Sequence, residues 1–384
     1  MKSVFCKSLL ISLLVMLLGV GSACADRFGD AYTDTPPTEV LSHLNEHFSA
    51  YLLEDYITIS GTSKGDYGFA LLGQNEERVL VGYHSDGKGM EYWLKNANAV
   101  PQGKGWVFFQ RHSANGVISW GNTNAAYQDA LGFNVIRIDP ENEEYWSQSV
   151  SYHWRDGGFQ LDEYMDRSKG HETAYVTDDG VSYYDIATAE SLGSVKGTVQ
   201  RNLRYVSFST LPKTKAQAKE KLTVAPAIPQ GELSAESIQF TGGEKYEVYA
   251  APSSSALRGA NGKAIVSTND WIQVFGSENG YILIQYAISE DRMRFGYIKE
   301  EALPKKKAVQ ELSWPNAVSA SITQRTALTD DPLNSQSALL TLPQGSKVTC
   351  LAVMGDWVYV ETTDEEWARG FVPQDVVSCE PDLE

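Results

Sequence analysis

The sequence predicts a mainly β chain, in which an N-terminal α+β domain (one helix plus antiparallel hairpins) is followed by two small β-barrels. Three observations predict it. First, residues 271–286 lie over residues 347–362 without a gap. Ile272 falls on Val348, Val274 on Cys350, Tyr281 on Trp357, Ile282 on Val358 and Ile284 on Val360. After a two-residue adjustment, Gly296-Tyr297-Ile298 falls on Gly370-Phe371-Val372. Self-similarity of this kind marks tandem copies of one structural unit. Second, apolar residues alternate with polar ones through most of the chain, the period of half-buried strands. Third, helical spacing of apolar residues is confined to one run near the start and one short Lys/Ala/Glu-rich run near the middle.

The elements follow in order. Lys2 and Lys7 flank a short apolar run from Leu9 to Val20, and Ala23-Cys24-Ala25 is a small-x-small cleavage site, so residues 1–25 read as an export signal. Lipidation of Cys24 is the alternative fate, although Gly21 stands where that signal carries Leu. Residues 26–212 form the N-terminal domain. Pro36-Pro37 opens a helix on which Val40, Leu41, Leu44, Phe48, Tyr51 and Leu52 share one stripe. Strands are expected at 56–60, 67–72, 78–83 and 90–94. Residues 100–124 are irregular and read as a long loop or a short excursion. Strands resume at 133–138, and the turns at 155–158 and 177–180 join hairpins, so sequential strands pair as a meander. Residues 213–244 hold a short helix and a stiff proline-containing linker. The first barrel is expected at 245–306 and the second at 307–384.

Composition narrows the function. The formal charge is −17, and loss of Lys2 and Lys7 with the signal takes it to −19. Such a chain repels nucleic acid and anionic lipid, both of which need basic patches. No stretch after the leader is long and apolar enough to span a membrane. With 20 Tyr and 9 Trp the chain can bury real cores and is not read as disordered. Only Cys350 and Cys379 remain after cleavage, both in the second unit, and an exported chain of this kind invites a disulfide between them.

Asp356-Trp357-Val-Tyr-Val360 followed by Gly370-Phe371-Val372 resembles the bacterial SH3-like (SH3b) family. Gly280-Tyr281-Ile-Leu-Ile284 and Gly296-Tyr297-Ile298 fit the same pattern with Tyr for Trp. The likeness covers residues 245–301 and 318–379. The family's opening Asn-Val-Arg strand and Pro turn are replaced by Val248-Tyr-Ala-Ala-Pro252 and by 325–332. The resemblance implies two SH3-like barrels and a non-catalytic binding or adhesion role, with cell-wall peptide or glycan as ligand. Another envelope protein is the further partner class. The alternative is an envelope hydrolase with its active site in the N-terminal domain and the barrels as targeting modules.

Catalytic constellations are sparse. No Gly-x-Ser-x-Gly elbow occurs, and all six His lie at or before position 171, away from both cysteines. His43 and His47 lie four apart on the helix without an evident third metal ligand. Asp162, Glu163 and Asp166 on one hairpin are the carboxylates for glycoside cleavage, if two of them face across a cleft. His153 stands between Tyr152 and Trp154 and reads as a surface residue. No cofactor or metal is expected. Aromatics are the remaining signal. Trp357 and Tyr359 share the strand face opposite Val358 and Val360, which belong to the core. Trp367 follows, and Tyr281 and Tyr286 are the counterparts in the first copy. These five are read either as barrel packing or as a peptide or glycan groove.

Overall fold

The computed structural model describes residues 34–379, apart from 86, 88, 111–130, 140–145, 156, 223–227, 230, 232, 260–263, 290–291, 306, 333–336 and 363–366. The leader and its cleavage site lie outside the described residues. The chain is mainly β. Helix α1 (Thr38–His47) precedes a meander of β1 (Leu52–Thr62), β2 (Gly65–Gln74), β3 (Glu77–Ser85) and β4 (Glu91–Asn96). A second, seven-stranded meander follows: β5 (Trp106–Gln110), β6 (Gly132–Ile138), β7 (Trp146–Arg155), β8 (Gly158–Asp166), β9 (Glu172–Thr177), β10 (Gly180–Asp185) and β11 (Ser191–Lys196). Each strand pairs with its sequence neighbour, as short turns between alternating runs dictate. Strand β5 corrects the expected loop. Its Trp-Val-Phe-Phe run is short and follows Gly103 and Gly105, which hides the alternation. Helix α2 (Lys215–Lys221) closes this part, with the Thr214 side chain accepting from the Gln217 N–H as an N-cap.

One face of the first sheet takes α1. Val40, Leu44 and Phe48 pack on Tyr56, Ala70, Leu72, Val79 and Val81. The other face carries Tyr67, Phe69 and Leu71 into a large core shared with Phe133, Tyr152, Phe159 and Tyr164 of the second sheet.

The duplicated units are β12 (Lys245–Glu247), β13 (Ile265–Ser267), β14 (Ile272–Glu278), β15 (Tyr281–Ser289) and β16 (Arg292–Lys299) in the first copy. The second copy holds β17 (Val318–Ile322), β18 (Thr326–Thr329), β19 (Ala338–Leu342), β20 (Lys347–Met354), β21 (Trp357–Thr362), β22 (Arg369–Pro373) and β23 (Val377–Ser378). Their registers coincide. Val274 faces Ile284 and Cys350 faces Val360, and in both copies the next residue, Phe275 or Leu351, is a bulge. Tyr297 faces Leu283 as Phe371 faces Tyr359. A single 3-10 turn ends each copy, at Glu300–Ala302 and Gln374–Val376.

The Gly of each Gly-aromatic-β-branched triplet has a steric reason. A Cβ on Gly296 would stand 2.3 Å from Val248 Cγ1, and one on Gly370 would stand 2.7 Å from the Thr329 carbonyl. There the first hairpin of each unit crosses the last strand, held by Tyr249 with Tyr297 and by Thr329 with Phe371. That joint is one residue pair wide. Among the described residues neither copy closes into a ring of hydrogen-bonded strands, so the sheets are open where closed barrels were expected.

Each copy has its own core. Ile282, Ile284 and Ile298 lie in one, and Val358, Val360 and Val372 in the other. The opposite strand faces are largely covered by the rest of the chain. Tyr281, Leu283, Tyr297, Tyr359 and Phe371 enter the same large core as the N-terminal sheets. The three parts therefore pack on common ground, although sequence boundaries separate them.

Candidate binding cavity

Where the three parts meet, the buried groups become polar. Glu361 on β21 and Arg369 on β22 are a cross-strand pair, and both are almost wholly buried. The Arg369 guanidinium uses all five N–H groups. Nε donates to Glu361 Oε2 at 2.7 Å. Nη1 donates to Glu278 Oε2 and to the Tyr297 hydroxyl, both at 2.7 Å. Nη2 donates to Glu278 Oε1 at 2.9 Å and to the Tyr205 hydroxyl at 3.0 Å. The Tyr205 O–H donates to Glu361 Oε2 at 2.7 Å, and Asn202 Nδ2 to Glu361 Oε1 at 3.3 Å. Trp314 Nε1 adds a bond to Glu278 at 3.0 Å. Burial pushes the Glu361 carboxyl up, but Arg369 and Arg204 beside it more than offset that and hold it below its usual range. Asn202 and Tyr205 come from the segment after β11, Glu278 from the first copy, and Glu361 and Arg369 from the second. The cluster ties all three together.

Beside it lies a cavity of about 240 Å³. Tyr67, Trp93 and Phe159 give it an aromatic lining, with the Tyr67 ring centroid 5.1 Å from Trp93 and 5.2 Å from Phe159. Lys64, His84, Asn202 and Arg204 of the N-terminal part, Ser255 of the first copy, and Glu361, Thr362 and Trp367 of the second supply its polar groups. The Arg204 guanidinium is sandwiched, 4.5 Å from the Trp93 ring centroid and 3.5 Å from that of Trp367. Gly157 and Gly158, in the β7–β8 turn, bring backbone to the cavity edge.

The five sequence-nominated aromatics are distributed as follows. Trp367 lines the cavity. Tyr359 and Tyr281 lie in the shared core, and Tyr281 donates to Glu91 of β4 at 2.5 Å. Tyr286 belongs to the first copy's own core. Trp357 is half-buried at the start of β21 and packs against the shared core. The face that offered a groove is thus largely an intramolecular contact. Trp271, 45 % exposed, is the aromatic that sequence alignment placed but did not nominate.

Cys350 and Cys379 are both buried, and in this structure both are free thiols. They are hydrogen-bonded to each other, so the two lie together but the expected bridge is not formed. The hydrogen bond to Cys379 and burial raise Cys350, while the bond from Cys350 lowers Cys379. Cys379 is the more acidic of the pair.

The carboxylates nominated for glycoside cleavage each have separate partners. Asp162 is a β-bulge residue that meets His153 Nδ1 at 3.0 Å and Arg155 at 2.5 Å. Glu163 accepts from Thr173, and Asp166 from Gln148 and Ser168. His153 is buried, not exposed as expected, because the bulge turns Asp162 onto it. His43 and His47 do share a face, with ring centroids 4.4 Å apart. Among the described residues, no group of three metal-ligating side chains is present.

No known family model matches this chain, and no curated protein matches it. A solved structure, that of NlpC2 from Trichomonas vaginalis, is similar at 11 % identity over 38 % of this chain. The chain spans about half of that protein's length (49 %), and the TM-score of 0.16 carries no argument about fold or function.

Proposed function

We propose that this chain is an exported, non-catalytic binding protein whose site is the cavity at the junction of its three parts, and that its ligand is a cell-wall peptide or glycan fragment. The carrying observation is the cavity itself, an aromatic-lined hollow with polar groups converging from all three parts. Its carboxylate, Glu361, is already committed to Arg369, Tyr205 and Asn202, so it serves as a fixed counter-ion and not as an acid or base. The likeness of the two copies to SH3b domains supplies the ligand class and the envelope location. The test is retention of the whole chain on purified cell wall. Trp93→Ala should reduce the affinity about tenfold or more, and Trp357→Ala should leave it nearly unchanged. The reverse pattern would move the site to the outer strand face and overturn the reading.

One observation favours a second reading, that of a hydrolase with its site in the N-terminal sheets. His153 and Asp162 form a buried imidazole–carboxylate pair, a common support for a general base. Release of soluble fragments from cell wall by the whole chain, lost in His153→Gln, would establish it. No release would dismiss it.

A further inference from the structure

Helix α1 ends in an imidazole pair that the proposed binding role does not use. His43 and His47 lie four residues apart, one turn along the helix, so their side chains meet on one face. His43 is held in place. Its ring packs on that of His47, with centroids 4.4 Å apart, and on that of Tyr92 from β4 at 4.7 Å. The Tyr83 ring of β3 meets it edge-on at 5.6 Å. Its Nδ1 stands 3.1 Å from the Tyr83 hydroxyl oxygen, which can accept the Nδ1 proton. With the proton there, the lone pair of Nε2 is free. Nε2 makes no hydrogen bond among the described residues and is not sealed from solvent. The His47 side chain is 55 % exposed. Burial, with His47 beside it, lowers His43 to about 4, so at neutral pH it is in the uncharged form that a metal requires.

We infer that His43 and His47 together bind one divalent transition-metal ion, Cu²⁺ by preference, with water in the remaining positions. The ring spacing carries the inference. An ion about 2.0 Å from each coordinating nitrogen lies about 3.1 Å from each ring centre, so two rings bound at a right angle stand about 4.4 Å apart, against about 5 Å for a tetrahedral pair. The pair stands 4.4 Å apart. Right-angled nitrogen ligands suit the tetragonal Cu²⁺ ion, which also binds imidazole most tightly in the divalent series. The Tyr83 hydroxyl takes the part of the outer partner that orients a ligating imidazole. Charge agrees. Glu46 Oε2 lies 3.9 Å from His47 Nε2, and the chain as a whole carries −17. The pair also sits on the last turn of α1, where the helix dipole favours a cation. The site lies on the α1 side of the first sheet, and Tyr67 and the junction cavity lie on the other, so it stands apart from the binding role proposed above.

Calorimetric titration of the whole, tag-free chain with Cu²⁺ tests it. A site of one ion per chain should appear with Kd below about 100 μM. His47→Gln changes an exposed side chain and should leave the circular dichroism as it was. It should weaken that site about tenfold or more. His171→Gln, an exposed histidine just before β9, should leave the affinity unchanged. Electron paramagnetic resonance of the copper-loaded chain should show splitting from two ring nitrogens, and His47→Gln should lose one of them. No saturable site below about 100 μM would overturn the inference. So would a site whose affinity and nitrogen splitting survive His47→Gln, because the ion would then lie elsewhere on the chain.

Discussion

Replacing Arg369 by Met is the sharpest perturbation of the junction. The side chain is fully buried, and its loss removes five hydrogen bonds and the cation between two carboxylates. Glu361, 1 % exposed, would then keep its charge with Arg204 at 3.7 Å as its nearest cation. Breaking a buried pair by removing one partner costs about 3–5 kcal/mol, a large share of the roughly 5–15 kcal/mol by which domains are stable. Urea unfolding followed by tryptophan fluorescence reads the loss. The double variant Arg369→Met/Glu361→Gln should recover part of it, because the stranded charge is gone, and the cycle should show coupling of about 1 kcal/mol or more. The pH dependence supplies a second signature. In the parent, Glu361 is held below its usual range, so its contribution is present above the unfolded value and is lost as pH falls through the folded one. Without Arg369, burial dominates and raises the carboxyl, so the slope from this group reverses sign. A cost below about 1 kcal/mol, or no coupling with Glu361, would refute the claim that this network welds the three parts.

Three further outcomes are expected. Lys213 is buried against Phe208 and Tyr164, and burial lowers it to about 7. The unfolded chain binds the extra proton above that value, so stability should rise with pH from about 7 toward 10 by up to about 1.4 kcal/mol per unit. Lys213→Met should lack that slope in urea titrations, and an unchanged slope would contradict it. Gly370→Ala should cost about 1–3 kcal/mol, because its Cβ would stand 2.7 Å from the Thr329 carbonyl and 2.9 Å from Leu328 Cγ, and an unchanged melting temperature would refute the crossing geometry. Mild oxidation should convert the hydrogen-bonded Cys350 and Cys379 into a bridge worth about 3–4 kcal/mol in the chain-entropy model. Two titratable thiols surviving in the denatured, oxidised chain would rule that out.

Local and repeated features were legible from the residues. The gapless overlay of 271–286 on 347–362 carried through to the same strand register and the same bulge at Phe275 and Leu351. Ile282, Ile284, Val358 and Val360 point into their own cores as period 2 required. Partners on the opposite face were not legible. Alternation shows that Tyr281 and Tyr359 share a side with other aromatics, but not that this side meets sheets more than a hundred residues away. Arg204 and Asn202 were missed because the segment after β11 has no periodicity. Comparing the copies more closely would have flagged the junction. Glu361 and Arg369 stand where the first copy has Gln285 and Phe295, so a facing charge pair interrupts otherwise matching strands. Trp271 and Ile288 mark a second divergence, both exposed and adjacent through the Ala287 N–H to Trp271 carbonyl bond.

Hydrogen exchange of the whole chain, with and without bound cell-wall fragments, tests the central claim most directly. Binding in the junction cavity predicts slowed exchange concentrated at residues 64, 67, 84, 93, 157–159, 202, 204, 255, 361, 362 and 367, drawn from all three parts at once. Slowing confined to the outer surface of the duplicated units, around Trp271 and Trp357, with the N-terminal sheets unchanged, would contradict it.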